Sequence, residues 1–215
     1  MAIVLFDFDG VLADTLEDAL NFGREAAAQV GLERNPAPAD LDALETMAVP
    51  DYGKQLKIPE QHIDEFVNHY LRLFTQKPSP PEMFRGMEPV VAQAAKNHTV
   101  AIVTGNTTPT VEAFLKEHGL QEYVRLIIGV EQKVSRAEKI RMALRQLGRT
   151  GEPVYMIGDS LSDIRAARET SVKSVAVGWG HQSPARLKSA NPDFLVDSPQ
   201  ELLELIKTEI KTDNP

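Results

Sequence analysis

Short, continuous apolar runs alternate with segments of helical periodicity in the second half of the chain. The runs are VAIVTG, VRLIIG, VYMIGDS and SVKSVAVGW, and helical patterns lie between and after them in VEAFLKEHGL, AEKIRMALRQLG, SDIRAARET and PQELLELIKTEI. Continuous apolar runs are typical of parallel strands, which are buried on both faces. Regular alternation of strand and helix therefore predicts an α/β fold with a parallel sheet covered by helices on both sides.

The pattern changes between residues 14 and 83, where helical periodicity occurs without a convincing strand. Three helix-like segments lie in this range: Leu16 to Val30, Ala39 to Ala48, and Glu60 to Thr75. Their apolar positions recur with the spacing of one helix face. We therefore predict an inserted α-helical domain at 14–83, within an α/β core domain made of residues 1–13 and 84–215.

Composition narrows the classes of partner. The chain has 215 residues, 42% of them hydrophobic, which is enough for a folded core. Its net charge is −8, of which −7 falls in residues 14–83. Non-specific electrostatic binding to nucleic acid or anionic lipid is therefore not expected. There is no Cys, which excludes disulfides and thiolate metal sites. A small, diffusible partner fits this composition best.

The apolar runs are too short to act as membrane or export segments. The first run, AIVLF, has no basic leader and is stopped by Asp7, and no stretch approaches the roughly 18 apolar residues of a membrane helix. We therefore expect a cytoplasmic protein without a membrane partner. For the oligomeric state we expect a monomer or a weak homodimer.

Oxygen-bearing side chains follow three of the predicted strands. Asp7 and Asp9 follow AIVLF, the segment 104–106 (TGN) follows VAIV, and Asp159 and Asp163 follow VYMI. The carboxyl ends of parallel strands meet at one edge of a sheet, so these groups should lie close together. Clustered carboxylates raise one another's pKa unless a divalent cation compensates them. Oxygen ligands without His or Cys point to Mg²⁺.

A Mg²⁺ site beside backbone amides and a basic side chain is suited to a phosphoryl group, whose oxygens it would neutralise. One carboxylate could then attack phosphorus, because aspartate is a competent nucleophile in phosphoryl transfer. A second carboxylate two residues later could protonate the leaving alcohol and deprotonate the attacking water. The paired acids in FDFDG therefore predict a phosphoryl-transfer enzyme.

The motifs DFDGVLADT, VTGN and GDSLSD, with a basic residue before the last, resemble in order and spacing those of the haloacid dehalogenase superfamily. The resemblance covers nearly the whole chain. It implies a Rossmann-like parallel-sheet core and identifies the helical insert with the small α-helical cap domain of that superfamily, which closes over the active site.

The resemblance also assigns roles to individual residues. It makes Asp7 the nucleophile and Asp9 the general acid/base, which also offers its backbone carbonyl to the metal. It places Thr104 on the transferred phosphoryl group and leaves open whether Gly105 or Asn106 supplies the key backbone amide. The implied metal site comprises Asp7, Asp9, Asp159 and, behind Asp159, Asp163.

The phosphate-binding cation is the least defined of these positions, because GVEQKVSRAEKI offers Lys133, Arg136 and Lys139. Ser135 and Glu138 form an S-x-x-E pattern, which predicts that a helix begins after Ser135. In relatives with a KPxP motif the lysine lies two residues before this cap, which selects Lys133. In relatives with a lysine at the first helical position, the match is Arg136. We take Lys133 as the first choice and Arg136 as the alternative.

An Asp at position 9 resembles the phosphatases and phosphomutases of the superfamily rather than the true dehalogenases. The ending VAVGWGHQSPARLKSANPDFLVDSPQELLELI resembles that of phosphoglycolate phosphatases and their pyrophosphatase relatives. The resemblance thus implies a Mg²⁺-dependent phosphatase acting on a small phosphorylated metabolite, with 2-phosphoglycolate as the leading candidate. A pyrophosphatase or a sugar phosphomutase remains the alternative. His181, which lies near a strand end, is considered as a residue that contacts the cap or the substrate.

A signalling receiver domain is the main hypothesis of a different class. Such a domain also pairs acids after its first strand and binds Mg²⁺, but its phosphoaccepting Asp would lie after the third strand. Here the later acids occur in GDSLSD, and the long helical insert intervenes. We therefore favour the enzyme.

Overall fold

The structure is a computed structural model that describes residues 1–77, 79–148 and 151–210. The chain divides into two compact units, one formed by Met1–Asp14 with Pro80–Pro215 and the other by Thr15–Ser79. The second unit begins one residue after and ends four residues before the predicted helical insert at 14–83. That this unit acts as a cap stays a prediction.

The described residues form eight strands and ten α-helices, together with short 3-10 turns. The strands are β1 (Ile3–Phe6), β2 (Ala13–Asp14), β3 (Glu82–Met83), β4 (Thr99–Val103), β5 (Leu126–Ile128), β6 (Val154–Gly158), β7 (Lys173–Val177) and β8 (Phe194–Val196). The helices are α1 (Leu16–Gln29), α2 (Pro38–Asp42), α3 (Val49–Gln55), α4 (Ile63–Thr75), α5 (Met87–Asn97), α6 (Thr108–Glu117), α7 (Arg136–Gln146), α8 (Leu161–Glu169), α9 (Pro184–Ser189) and α10 (Pro199–Thr208).

Six of the strands form one parallel sheet in the order β5-β4-β1-β6-β7-β8. Strand β1 lies at its centre, with Phe6 in register with Ile102 of β4 and with Ile157 of β6. This register places the ends of β1, β4 and β6 side by side. The predicted α/β fold with a parallel sheet is confirmed.

Alternate side chains of β1 pack on opposite faces of the sheet, as the period of a strand requires. Val4 and Phe6 belong to a core shared with α5, α6 and α10, whereas Ile3 and Leu5 belong to a core shared with α7 and α8. All four side chains are buried. Burial on both faces explains why β1 reads as a continuous apolar run.

The sequence patterns did not identify every element of this unit. Strand β8, helix α5, helix α9 and the small ribbon of β2 and β3 were not predicted. The ribbon pairs Ala13 with Met83 and Asp14 with Glu82 in antiparallel register. Two-residue strands carry too few positions to show an alternating pattern, so sequence periodicity cannot reveal them.

The unit Thr15–Ser79 is helical and contains α1 to α4. Its core includes the edge-to-face aromatic pair of Tyr52 and Phe66, with Tyr70 beside them. The predicted helix from Ala39 to Ala48 is wrong: α2 ends at Asp42, and α3 begins at Val49. Pro50 accounts for the restart, because proline fits the first turn of a helix but not its interior.

None of the helices that the structure describes is both long enough and apolar enough to cross a bilayer.

Candidate active site

The three central strands bring the chemical motifs together at one edge of the sheet. Asp7 follows β1, Thr104 follows β4 and Asp159 follows β6. Since these strands are hydrogen-bonded neighbours in parallel register, their next residues emerge side by side. This is the edge at which open α/β sheets bind ligands.

Three buried carboxylates form the centre of the site. One oxygen each from Asp7, Asp159 and Asp163 lies within 4.8 Å of the others, and all three residues are at most 4% exposed. Burial raises the pKa of Asp163 above its ordinary value, and the charges of Asp7 and Asp159 raise it further against the opposing effect of Arg136. Arg136 supplies one positive charge beside three carboxylates, so an additional cation there would be favoured electrostatically.

Arg136, the first residue of α7, contacts two members of the acidic cluster, Asp7 and Asp163. Its Nη1 lies 2.8 Å from Oδ1 of Asp7, its Nη2 donates to Oδ2 of Asp7 at 2.9 Å, and its Nε lies 3.3 Å from Oδ1 of Asp163. Its Nη1 also donates to the carbonyl of Val103 at 2.7 Å. Burial disfavours the charged guanidinium, but Asp163 and Asp7 outweigh this effect and hold the pKa of Arg136 above its ordinary value.

The other two candidate cations occupy different surroundings. Lys139 is buried one helical turn after Arg136, and its Nζ donates to the carbonyl of Thr104 at 2.7 Å. Burial lowers the pKa of Lys139 to about 8, with the like charge of Arg136 acting in the same direction. Lys133 is exposed, and within the described part of the chain its side chain makes no hydrogen bond or ion pair. The structure therefore does not bring the first-choice cation Lys133 into the cluster.

The predicted start of this helix explains the difference. Ser135 is the N-cap of α7, and its Oγ accepts the backbone N–H of Glu138 at 3.2 Å, which confirms the predicted cap. Arg136 and Lys139 are three residues apart and share a helix face. Lys133 precedes the cap, where its side chain remains in solvent.

The segment WGHQ (179–182) packs against Asp159. Oδ2 of Asp159 is hydrogen-bonded by the backbone N of His181 at 2.7 Å and lies 2.8 Å from its Nδ1. Burial opposes a charge on this ring, but Asp159 outweighs burial and raises the pKa of His181 to about 9. A Cβ at Gly10, where φ is +73°, would collide with both residues, and a Cβ at Gly180 would collide with Asp159. Glycine is therefore required on both sides of this carboxylate.

The loop after β4 holds Thr104 fully buried. The backbone N–H of Asn106 donates to Oγ1 of Thr104 at 2.9 Å, and the backbone carbonyl of Asn106 accepts from Val130 at 2.8 Å. Gly105 is exposed, and its N–H has no hydrogen-bond partner among the described residues. The free amide of the TGN segment is therefore that of Gly105.

Asp9 lies apart from the acidic triad. Its two carboxylate oxygens are each 3.1 Å from Nδ2 of Asn106, and it is half-buried. The three-carboxylate cluster therefore consists of Asp7, Asp159 and Asp163, and the side chain of Asp9 is not part of it. The predicted contribution of the Asp9 backbone carbonyl to a metal stays a prediction.

The residues present fit Mg²⁺. The donor atoms are carboxylate oxygens, which hard divalent cations prefer, and Oδ1 of Asp163 is buried without a hydrogen bond in the described structure. This oxygen lies in an ion pair with Nε of Arg136 but accepts no hydrogen bond, so it retains lone-pair capacity for a metal ion. Asp7, Asp159 and Asp163 would hold the ion.

Sequence reasoning missed three side-chain contacts of this site: Asn106 to Asp9, Lys139 to Thr104, and His181 to Asp159. For Lys139 a signal existed, because its three-residue spacing from Arg136 predicts a shared helix face. The other two contacts, which join residues 97 and 22 positions apart, have no such signal. His181 was weighed as a contact to cap or substrate, and the structure places it on Asp159 instead.

Comparisons with known proteins agree with this architecture. A sequence model of the haloacid dehalogenase-like hydrolases matches residues 4–177. A phosphoglycolate phosphatase of Synechococcus elongatus is 23% identical over 212 residues, covering 96% of this chain and 97% of that protein. A pyrophosphatase of Listeria innocua is 28% identical over 232 residues, covering 96% of each. The solved structure of a haloacid dehalogenase-like family hydrolase from Streptococcus pneumoniae, 21% identical, superimposes with a TM-score of 0.81 over 95% of this chain and 97% of that one, which shows the fold.

Proposed function

The chain belongs to the haloacid dehalogenase-like hydrolases, and we propose that within this family it is a Mg²⁺-dependent phosphatase of a small phosphomonoester. The observation that carries the proposal is the buried Asp7 carboxylate, held by the Arg136 guanidinium beside Asp159 and Asp163. An acid held in a cluster of acids and cations at a ligand-binding edge is suited to nucleophilic attack on phosphorus.

In the first step, a carboxylate oxygen of Asp7 bonds to phosphorus and the bond from phosphorus to the leaving oxygen breaks. The N–H groups of Arg136 would turn from Asp7 to the transferred phosphoryl oxygens, where negative charge must be neutralised. The hydroxyl of Thr104 and the free N–H of Gly105 would donate to the same oxygens. These contacts support Arg136 rather than Lys133 as the phosphate-binding cation.

Asp9 acts as general acid in the first step and as general base in the second. Its carboxylic acid gives a proton to the leaving alcohol oxygen, and the resulting carboxylate then takes a proton from the water that attacks phosphorus. The second attack breaks the bond to Asp7, releases inorganic phosphate and restores both carboxyl groups. Bound Mg²⁺ supplies charge stabilisation for the phosphoryl oxygens.

The substrate is proposed as 2-phosphoglycolate, because the phosphoglycolate phosphatase of Synechococcus elongatus matches this chain over nearly its full length. The pyrophosphatase of Listeria innocua matches a similar share, so pyrophosphate is the competing substrate. The helical unit Thr15–Ser79 is proposed as the cap domain that selects between them.

The test is phosphate release with Mg²⁺ from 2-phosphoglycolate, pyrophosphate, hexose phosphates and nucleotides. We expect one dominant phosphomonoester whose turnover depends on Asp7. A dominant turnover of pyrophosphate would replace the proposed substrate. Conversion of one hexose phosphate into its isomer without phosphate release would identify a mutase and contradict the phosphatase.

Removal of divalent cations should stop turnover reversibly. EDTA would leave the carboxylates of Asp7, Asp159 and Asp163 without a compensating ion, and added Mg²⁺ should restore activity. Mg²⁺ should also raise the melting temperature of the protein, because an ion that binds only the folded state stabilises it. Full turnover after exhaustive chelation, with no change in melting temperature on adding Mg²⁺, would contradict the metal site.

A further inference from the structure

We propose that Asn106 is a positioning residue that holds the Asp9 carboxylate for proton transfer to the leaving group, rather than a ligand of the phosphoryl group. The inference rests on the proposed phosphatase activity and deepens it. Asn106 lies on the loop after β4, while Asp9 lies on the loop after β1, so the contact joins two neighbouring strand ends.

The contact is direct and enclosed. Nδ2 of Asn106 lies 3.1 Å from both Oδ1 and Oδ2 of Asp9, and Asn106 is only 2% exposed. An amide N–H that bridges the two oxygens of a carboxylate restrains the rotation of that group. A buried donor to a charged acceptor is also among the stronger hydrogen bonds in proteins.

The orientation of the amide follows from its other end. Oδ1 of Asn106 accepts the backbone N–H of Thr107 at 2.8 Å. A backbone N–H can only donate, so the atom that faces it must be the amide oxygen, and the amide nitrogen must face Asp9. The reversed amide would place two donors against each other at Thr107 and two acceptors against each other at Asp9.

The backbone of Asn106 is likewise committed to the protein. Its N–H donates to Thr104 and its carbonyl accepts from Val130. Each of its polar groups therefore has a protein partner among the described residues. The N–H of the exposed residue Gly105, which has no partner among them, is the group left for a phosphoryl oxygen. This geometry separates the two neighbours: Gly105 would contact the substrate, and Asn106 would act through Asp9.

If Asn106 positions Asp9, its removal has a consequence that the loss of a phosphate-binding residue does not have. Proton donation matters when the leaving group is a basic alkoxide, whereas nitrophenolate departs without a proton. The loss caused by removing Asn106 should therefore depend on the leaving group. A loss of phosphate binding would slow the reaction of every ester alike.

The experiment compares kcat/KM for benzyl phosphate and 4-nitrophenyl phosphate, two esters of similar size, in the Mg²⁺-loaded protein. Asn106→Ala should lower kcat/KM for benzyl phosphate by roughly 10- to 100-fold, which is part of the roughly 10²- to 10⁴-fold that general acid catalysis contributes. It should lower kcat/KM for 4-nitrophenyl phosphate by less than about 3-fold, because the acid contributes little there. Asn106→Ser, which keeps a short oxygen acceptor near Thr107 but cannot reach Asp9, should show the same selectivity.

Asp9→Ala provides the reference pattern, with the same selectivity and a larger loss. Adding Asn106→Ala to Asp9→Ala should cause little further loss, since two residues of one unit are not additive. Asn97→Ala, the same change at an exposed asparagine at the end of α5, is the matched control and should leave both esters unaffected.

Equal losses on both esters, or no loss on either, would overturn the positioning role of Asn106. Circular dichroism of each variant shows whether an equal loss comes from a disturbed fold, and in the neutral variant Asn106→Ser an equal loss with an intact fold would assign Asn106 to phosphate binding. If the wild-type protein shows no Asp7-dependent turnover of these esters or of any substrate in the panel, the proposed function itself fails. The two failures are thus distinguishable.

Discussion

Asp7→Asn is expected to abolish phosphate release while the fold survives. The amide has nearly the shape of the carboxylate, but it is neutral and cannot form the bond to phosphorus, so kcat should fall on the order of 10⁴-fold or more. The measurement is phosphate release by the purified variant on the best substrate, with Mg²⁺ present. Circular dichroism should remain that of the wild-type protein.

The surroundings of Asp7 explain why the fold should tolerate this change. Arg136 would keep Asp163 and the carbonyl of Val103 as partners, so its guanidinium would not be left unpaired. The backbone N–H of Phe8, which donates to Oδ1 of Asp7 at 2.8 Å, would keep an oxygen acceptor. Substantial turnover by a variant free of wild-type enzyme would remove Asp7 as nucleophile, and Asp7→Ala excludes recovery of the acid by deamidation.

The residues that follow β1, β4 and β6 could be placed at one edge of the sheet from the sequence, because the apolar pattern of the strands determines where those strands end. Continuous apolar runs predict parallel strands, and parallel strands place their next residues at one edge. Asp7, Thr104 and Asp159 follow from that rule alone, and the structure brings all three to this edge. Their assigned roles stay predictions, of which Asp7→Asn tests the first.

The contacts that complete the site could not be predicted in this way. Asn106 and Asp9 are separated by 97 residues, and nothing in either loop reveals that an amide will face a carboxylate. The pairing of His181 with Asp159 depends on the close approach of two glycine-containing loops, which only the folded backbone defines. Local patterns report which face a residue occupies, whereas these contacts depend on how separate loops meet.

The choice between Lys133 and Arg136 shows the same limit within a single motif. The cap at Ser135 was predicted and is confirmed, yet the cap alone is compatible with a cation on either side of it. The structure adds the missing fact: Arg136 contacts Asp7 and Asp163, and Lys133 lies in solvent. The proposal that Arg136 binds the phosphoryl group therefore rests on contacts rather than on motif spacing.

Arg136→Ala is accordingly expected to lower kcat/KM by roughly 10²- to 10³-fold, the usual effect of removing one preorganised donor from developing charge. Lys133→Ala removes a positive charge from the same segment. It should change kcat/KM by less than about 2-fold, as expected for an exposed side chain. Arg136→Lys should recover only part of the loss. A lysine is a point charge and cannot reproduce the fork that reaches Asp7, Asp163 and the carbonyl of Val103 together.

These variants are compared on the best substrate of the panel, with saturating Mg²⁺ and with circular dichroism as the check on folding. The check matters because removing Arg136 leaves Asp7 and Asp163 without their shared partner, and the loss of one member of a buried ion pair destabilises a protein. Arg136→Lys keeps a positive charge there, so a loss of activity in that folded variant reports on the lost donors. A large loss in Lys133→Ala, with Arg136→Ala folded and active, would return the role to Lys133 and require its loop to move when substrate binds.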